Sequence, residues 1–364
     1  MISGPRSAAP ESPGGSPLPR TVLLLLGAAA VVVLGAGIRG AAGIVAPVVL
    51  SLVLTIAVLP VATWSRRRGW PSWVGTGLAL ITVYAIVLVL VLGLALSVVK
   101  LAELLPQYAD NASKITDDIQ QSLTTLGVAD KPASTASSQL DPGKLVTLVT
   151  DALQEVLAVL GSFFFLVTLL FFFVAAVPAS EARVTALRRA KPDVAAALAR
   201  FVSGTQRYLV VTAIFGAIVG VLDTGALWLL GIPLPLLWGL FSFLTNFIPN
   251  IGFVVGVIPP ALLGLLDKGW GSAVAVVVVY SVLNVTIQTF IQPRYVGATV
   301  GLSTEVTFLS LVLWTYLLGA LGALLAVPMT LLVRAILIDP DRRVAWVTPL
   351  ISTRAEPAGT PSGD

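Results

Sequence analysis

Three amide side chains recur at every fourth position in the last third of the chain: Asn284, Gln288 and Gln292. Residues four apart lie on one face of a helix, so this spacing predicts a polar stripe along an apolar helix. Such a stripe can line the path of a polar substrate, or it can form hydrogen bonds between helices. We favour the substrate path, because the stripe leads directly into Pro293 and a second broken segment.

Asp223 is an acid within an otherwise apolar run, residues 208–232. A carboxylate in the lipid interior is costly, so its presence indicates a function such as coupling to a proton or another cation. The alternative is that Asp223 lies near the outer end of its helix and reaches water among the lipid headgroups. The sequence leaves both interpretations open.

A turn interrupts another long apolar run, residues 234–266, at the sequence NFIPNIG, residues 246–252. Pro249 removes a backbone donor, and Asn250 and Gly252 tolerate turn geometry. Asn246 and Asn250 flank the turn, where they can bind substrate or satisfy backbone groups that the proline frees. We therefore place Asn246, Pro249, Asn250 and Gly252 among the candidate substrate-path residues.

The composition excludes several classes of protein. Apolar residues make up 57% of the 364 positions and charged residues 11%, against about 25% charged in soluble domains. Cys and His are both absent, which rules out thiolate chemistry, zinc fingers and Ser–His–Asp triads. We also find no Gly-Lys-Ser/Thr phosphate-binding motif. The sequence therefore predicts no enzyme, no catalytic residues, no cofactor, no metal site and no nucleic-acid partner.

Apolar runs of about 20 residues, the length that crosses a bilayer, recur along the chain. They predict a multi-pass protein of the cell (inner or plasma) membrane, with the lipid bilayer as its surroundings. The runs are 21–38, 43–63, 73–99, 156–177, 208–232, 234–266, 269–293 and 306–333.

Lys and Arg in the short loops set the orientation, because cytoplasmic loops are enriched in them. Acids outnumber lysines in 100–155, whereas arginines dominate 178–207, so both termini are predicted to be cytoplasmic. The predicted organisation is a disordered N-terminus (1–20), three spans (21–99), an extracytoplasmic helical loop (100–155), a fourth span (156–177), a basic cytoplasmic loop (178–207), a transport region with broken helices (208–338) and a cytoplasmic tail (339–364).

Two apolar runs do not have the length of ordinary spans. As a single helix, residues 234–266 would be about 50 Å long, well beyond the hydrocarbon core. Run 306–333 has Gly319 and Gly322 near its middle and Pro328 after them. We predict an all-α polytopic integral membrane protein with about six full spans, two re-entrant helical hairpins of opposite orientation and a helical extracytoplasmic insertion. The alternative is eight spans.

Three further stretches carry a family resemblance over roughly residues 20–340. They are IPNIG with its following prolines (248–260), QPRYVGATVGLS (292–303) and GALGALLAVP (319–328). The chain resembles the autoinducer-2 exporter (AI-2E) family of permeases. The resemblance implies substrate export or cation/proton antiport, a homo-oligomer, and elevator-like movement of a hairpin-bearing domain. The family pattern has an acid where this chain has Gln288, which leaves Asp223 as the favoured ion-coupling group.

The prediction for function is a secondary transporter, exporting a small polar or amphiphilic molecule, with coupling to H⁺ or Na⁺ open. Its substrate would lie between the two broken segments, near Gly252, Gly319 and Gly322. Arg294, at a predicted cytoplasmic helix end, can pair with an anionic ligand or stabilise that helix end. The alternatives are a passive channel and a non-transporting membrane scaffold.

Overall fold

The computed structural model describes residues 19–125, 142–249, 251–292 and 302–340, and these residues fold into α-helices with two π-helical turns. The α-helices are α1 Arg20–Gly40, α2 Ala42–Arg67, α3 Ser72–Thr125, α4 Pro142–Ala190, α5 Pro192–Leu229, α6 Pro235–Thr245, α7 Gly252–Lys268, α8 Trp270–Val285, α9 Thr304–Leu318 and α10 Ala320–Val333. The π-helical turns, Thr286–Ile291 and Arg334–Ile338, continue α8 and α10.

Within the described residues, five helical stretches are long and apolar enough to cross a membrane: Ala42–Arg67, Ser72–Gly93, Pro192–Leu229, Trp270–Gln288 and Ala320–Ile338. A sixth candidate is bent by 59° between Phe164–Ser180 and Ala182–Ala190. Shorter apolar helices cover Leu25–Gly40, Pro235–Thr245 and Thr304–Leu318. The prediction of an all-helical polytopic membrane protein is confirmed.

Many large apolar side chains lie on the outside of the bundle. Phe172 is 64% exposed, Trp228 72% and Leu229 80%. Contiguous apolar surface of this kind is rare on soluble monomers. In a bilayer it is expected, because lipid chains are as apolar as the side chains they touch.

Run 234–266 folds as two helices, α6 and α7, rather than as one long helix. The break spans the predicted turn, and α7 starts at Gly252. A Cβ on Gly252 would overlap the carbonyl oxygen of Thr245. The glycine therefore lets the start of α7 approach the backbone at the end of α6.

Run 306–333 is also divided, into α9 and α10. Gly319 joins them with a φ of 68°, a left-handed conformation that favours glycine. A Cβ on Gly322 would overlap the carbonyl oxygen of Trp314 in α9. The indole nitrogen of Trp314 also donates to Thr330 Oγ1 at 3.1 Å. The two broken runs thus use the same device, a glycine early in the second helix against a carbonyl of the first.

The core is divided among groups of helices. One buried cluster joins the end of α5 to α6, α7 and α8 and includes Leu227, Trp238 and Val276. Another joins α2 to α9 and α10, and Ile248 and Ile251 pack against it from the α6–α7 break. The break of the first divided run therefore contacts the core of the second.

Some predicted boundaries fall inside continuous helices. Helix α3 continues to Thr125, well past residue 99, and the basic stretch 178–207 is helical apart from a break at Lys191. Residues 1–18 of the predicted disordered N-terminus, residues 126–141 of the predicted extracytoplasmic loop and residues 341–364 of the predicted tail lie outside the described residues.

Candidate functional site

Asp223 lies on α5 with its side chain fully buried, at 0% exposure. Neither carboxyl oxygen has a hydrogen-bond partner among the described residues. Buried polar groups in proteins are almost always hydrogen-bonded, and an exception calls for an explanation. Asp223 is therefore the centre of the candidate site.

Three polar side chains lie beside the Asp223 carboxyl. Ser242 on α6 and Asn284 on α8 face it, and Tyr280, one turn before Asn284, adds its hydroxyl to the same region. All three are buried, with exposures of 5%, 3% and 1%. The Tyr280 hydroxyl also has no hydrogen-bond partner among the described residues.

A chain of amide hydrogen bonds continues from this cluster to the α6–α7 break. Gln288 Nε2 donates to Asn284 Oδ1 at 3.1 Å and to Asn246 Oδ1 at 3.2 Å. Asn284 Nδ2 donates to the Tyr280 carbonyl at 2.9 Å, and Asn246 Nδ2 donates to the Thr212 carbonyl at 3.3 Å. The amides thus link α8, the break and α5.

Small residues bring α5 and α6 close enough for this arrangement. A Cβ on Gly220 would lie 2.6 Å from the Gly239 carbonyl oxygen, and a Cβ on Gly239 would overlap Thr224 Oγ1. Gly216 likewise leaves room for Asn246, because a Cβ on Gly216 would lie 3.1 Å from Asn246 Nδ2. The face of α5 that carries Asp223 is therefore in backbone contact with α6.

Three hydrogen bonds from two side chains tie these helices to one another. Tyr208 Oη on α5 donates to the Phe247 carbonyl at 2.8 Å, in the break. Lys268 Nζ at the end of α7 donates to the Leu230 and Gly231 carbonyls at 2.9 and 2.7 Å. Carbonyls at a helix C-terminus carry partial negative charge, so the ammonium suits this position. Asp223 thus lies in a segment fixed at both ends.

Gln288 belongs to the π-helical turn Thr286–Ile291. A π-helical turn contains one residue more than the corresponding α-helical turn, and such turns are frequent at functional sites. The turn follows directly on Asn284 and Val285, and it sets the direction of the Gln288 amide toward the break.

The structure brings four predicted site residues together: Asp223, Asn246, Asn284 and Gln288. Pro249 and Gly252 lie in the break or at its edge. No described hydrogen bond joins Gln292 to the amide chain. Gly319 and Gly322 belong to the α9–α10 pair. Asn250, Pro293 and Arg294 lie outside the described residues.

Sequence reasoning missed Ser242 and Tyr280, although a signal was present. Tyr280 extends the four-residue spacing of Asn284 and Gln288 by one turn, and Ser242 stands four residues before Asn246. Extending each polar stripe by one helical turn toward the N-terminus would have found both.

The polar groups around the Asp223 carboxyl are hydroxyl and amide groups. The described residues contain no group of three or more His, Cys, Asp or Glu side chains that could hold a metal ion. One carboxyl with hydroxyl and amide neighbours is chemically suited to a proton, a monovalent cation or a polar organic group.

Comparison with known proteins gives the family. The model of the family described as AI-2E family transporter matches residues 21–339 of this chain. The AI-2 transport protein TqsA of Escherichia coli K12 is 31% identical over 315 residues, covering 86% of this chain and 90% of TqsA. The E. coli K12 transport protein YhhT is 30% identical over 308 residues, covering 84% and 88%.

A Haemophilus influenzae transport protein is similar at 31% identity over 313 residues, which cover 84% of this chain and 90% of that protein. The matched region contains every described helix from α2 to α10 and most of α1. The buried polar cluster therefore lies in a membrane transporter rather than in an enzyme, and the chain belongs to the AI-2E transporter family.

Proposed function

We propose that this protein is a secondary transporter that exports a small polar or amphiphilic molecule and couples the export to a proton or sodium gradient at Asp223. The observation that carries the proposal is the Asp223 carboxyl, fully buried and without a hydrogen-bond partner among the described residues. An ionised carboxylate is unstable in such surroundings unless a proton or a cation joins it.

The substrate path runs along the amide chain, beside the α6–α7 break. Asn246, Asn284 and Gln288 offer both donors and acceptors there, while Ile248 and Ile251 face the α9–α10 core. Amides next to an interrupted helix suit a polar molecule, because backbone groups left free at the break add dipoles. Asn250, Gly252, Gln292, Pro293, Gly319 and Gly322 complete the proposed path, and Arg294 its cytoplasmic end.

The proposed topology has six full spans and two re-entrant hairpins, α6–α7 and α9–α10, which enter from opposite faces. The lengths of α6, with 11 residues, and α9, with 15, support it, because about 20 residues are needed to cross the core. We place both termini in the cytoplasm, from the arginine-rich loops. We also propose a homo-oligomer and an elevator-like movement, which the family resemblance implies.

The name of the TqsA relative makes AI-2 the first organic substrate to test. The deciding experiment uses proteoliposomes of known orientation, with a pH-sensitive dye inside and pulses of Na⁺, K⁺ or Li⁺ outside, with and without AI-2. Saturable movement that depends on the ion gradient supports the proposal. Linear flux without saturation, or single-channel current steps in a planar bilayer, contradicts it and favours a passive channel.

A further inference from the structure

One end of the helical bundle carries exposed tryptophans next to arginines. Trp64 near the end of α2, Trp70 and Trp73 are 45%, 43% and 75% exposed. The Trp64 and Trp70 rings meet edge to face at 5.9 Å, and the Arg68 guanidinium lies 4.2 Å above the Trp64 ring. Tryptophan at helix ends is typical of the headgroup level of a bilayer.

Helix α4 reaches the same end of the bundle. A buried cluster joins Ala62 of α2 and Ala79 of α3 to Val174 of α4. Ser180 follows Val174 by about 9 Å along the helix axis. Helix α4 therefore bends at the level of the tryptophans, by 59° between Phe164–Ser180 and Ala182–Ala190.

The part of α4 beyond the bend, Ala182–Ala190, is called the bent segment here. It contains Arg183, Arg188 and Arg189, and its sequence contains no acid. All three arginines are exposed, as is Lys191 directly after it. At about 100° per residue, Arg183 and Arg188 lie to either side of Val184 and Leu187. An apolar strip flanked by cations is typical of helices that lie at a bilayer surface.

No acid among the described side chains pairs with these cations. Nearby, Arg200 and Arg334 both pair with Asp339, at 3.3 and 3.1 Å. By contrast, the three arginines of the bent segment and Lys191 form no ion pair with any described residue. Four exposed positive charges within nine positions therefore remain available to an external anion.

We propose that the bent segment lies in the headgroup layer of the bilayer and binds the phosphates of anionic phospholipids. Val184 and Leu187 contact the outer part of the acyl chains, while Arg183 and Arg188 extend to the phosphates on either side. Arginine suits this partner because its planar guanidinium binds phosphate through two hydrogen bonds. The tryptophans at the same end fix the depth. The proposal is independent of what the protein transports.

The test measures lipid selectivity by electron paramagnetic resonance. The full chain is reconstituted in phosphatidylcholine vesicles with a trace of spin-labelled phosphatidylglycerol or spin-labelled phosphatidylcholine. We expect the motionally restricted fraction to show a several-fold preference for phosphatidylglycerol that declines as salt is added. Equal binding of the two lipids by the unmodified chain would overturn the proposal.

Two variants separate charge from fold. In R183Q/R188Q/R189Q/K191Q the preference for phosphatidylglycerol should fall to the level of phosphatidylcholine, whereas R183K/R188K/R189K should keep most of it. An undiminished preference in the glutamine variant would contradict the proposal. Millimolar glycerol 3-phosphate should not displace the lipid; displacement would identify a site for soluble phosphates instead.

A second measurement does not depend on the glutamine variant folding. Because the chain has no cysteine, Leu187→Cys gives a single labelling position on the apolar strip of the bent segment. A spin label there should report headgroup depth when lipid-soluble and water-soluble relaxing agents are compared. A label fully accessible to the water-soluble agent alone would overturn the placement.

Discussion

Asp223 combines complete burial with the lack of any hydrogen-bond partner in the described part of the chain. Two neighbours, Ser242 and Asn284, lie close to the carboxyl, but neither makes a hydrogen bond of ordinary distance and angle with it. A carboxyl held this way is neutral when it carries a proton and needs a cation when it does not. The protonation state of Asp223 should therefore depend on whether a cation also occupies the cluster.

Asp223→Asn should abolish the pH dependence of transport while the protein still folds. The amide has the shape of the protonated carboxyl but cannot release a proton. Transport rates in proteoliposomes over a range of pH, with gel filtration to check folding, measure the effect. Asp193→Asn, at an exposed position on the same helix, is the matched control and should keep the normal pH profile. A normal pH profile in Asp223→Asn would exclude the coupling role.

Tyr280→Phe should raise the free energy of unfolding by about 1 kcal/mol, because it removes a buried hydroxyl that lacks a partner. The same change should reduce transport several-fold if the hydroxyl contacts the transported species. Thermal unfolding and saturation kinetics test the two effects separately. Tyr316→Phe is the control, since Tyr316 is 63% exposed and its ring contact with Arg39 survives the change. Loss of stability in Tyr280→Phe would mean that the hydroxyl is bonded in the folded protein.

Helix packing around the site depends on glycines that face another backbone. Gly220 of α5 lies against Gly239 of α6, and Gly252 and Gly322 play matching parts in the two divided runs. Close approach between helices of this type gives van der Waals contact that lipid cannot replace. Glycine at these positions thus lets the first helix of each divided run pack directly against the backbone of a neighbouring helix.

Gly220→Ala should destabilise the protein by about 1–3 kcal/mol, as expected for overpacking. Its Cβ would lie 2.6 Å from a backbone oxygen, which cannot move aside as a flexible side chain can. Gly225→Ala on the same helix is the matched control, because nothing lies within 4 Å of its Cβ. The control should be neutral or stabilising, since alanine is the better helix former. Equal melting temperatures for the two variants would contradict the packing described here.

The helices and their breaks could largely be predicted from the sequence. Runs of apolar residues determine where helices form, and the NFIPNIG turn lies where α6 gives way to α7. The way Asp223 meets Ser242 and Tyr280 could not be predicted, because it depends on how α5, α6 and α8 pack. Periodicity assigns residues to faces of one helix, but it does not say which helix a face will meet. The bend in α4, by contrast, has a signal in the sequence, because Pro178 lies inside the helix just before the bend and proline is a common cause of helix kinks.

At the level of the molecule, the described helices pack around several buried clusters of side chains. The cluster of α5–α8 carries the polar site, whereas α2, α3 and α4 form another cluster around Val83 and Leu170. Helix α3 contacts α6, and a Cβ on Gly93 would lie 2.7 Å from Leu240 Cδ2. If the groups move past each other during transport, contacts of this kind must break and re-form.

Joining α3 to α6 should therefore stop transport. Gly93→Cys with Leu240→Cys, linked by a short thiol cross-linker, should lose activity in proteoliposomes. The same pair with its thiols left free should retain it. The control pair is Gly264→Cys with Ser272→Cys, within the α7–α8 pair, where a Cβ on Gly264 lies 3.1 Å from Ser272 Oγ. That link should leave transport intact. Full activity of the cross-linked α3–α6 protein would rule out movement between these helices.

The π-helical turn at Thr286–Ile291 has a consequence for comparing sequences within the family. One additional residue in a helix is what a single-residue insertion leaves behind. A relative whose helix is a regular α-helix here would align with a one-residue gap, and beyond that gap the side chains of the two helices point in the same directions. Pairing the two sequences without the gap would displace every later residue by one position, which is about 100° around the helix. Corresponding positions in this stretch therefore have to be matched by the direction of the side chain, not by counting along the chain.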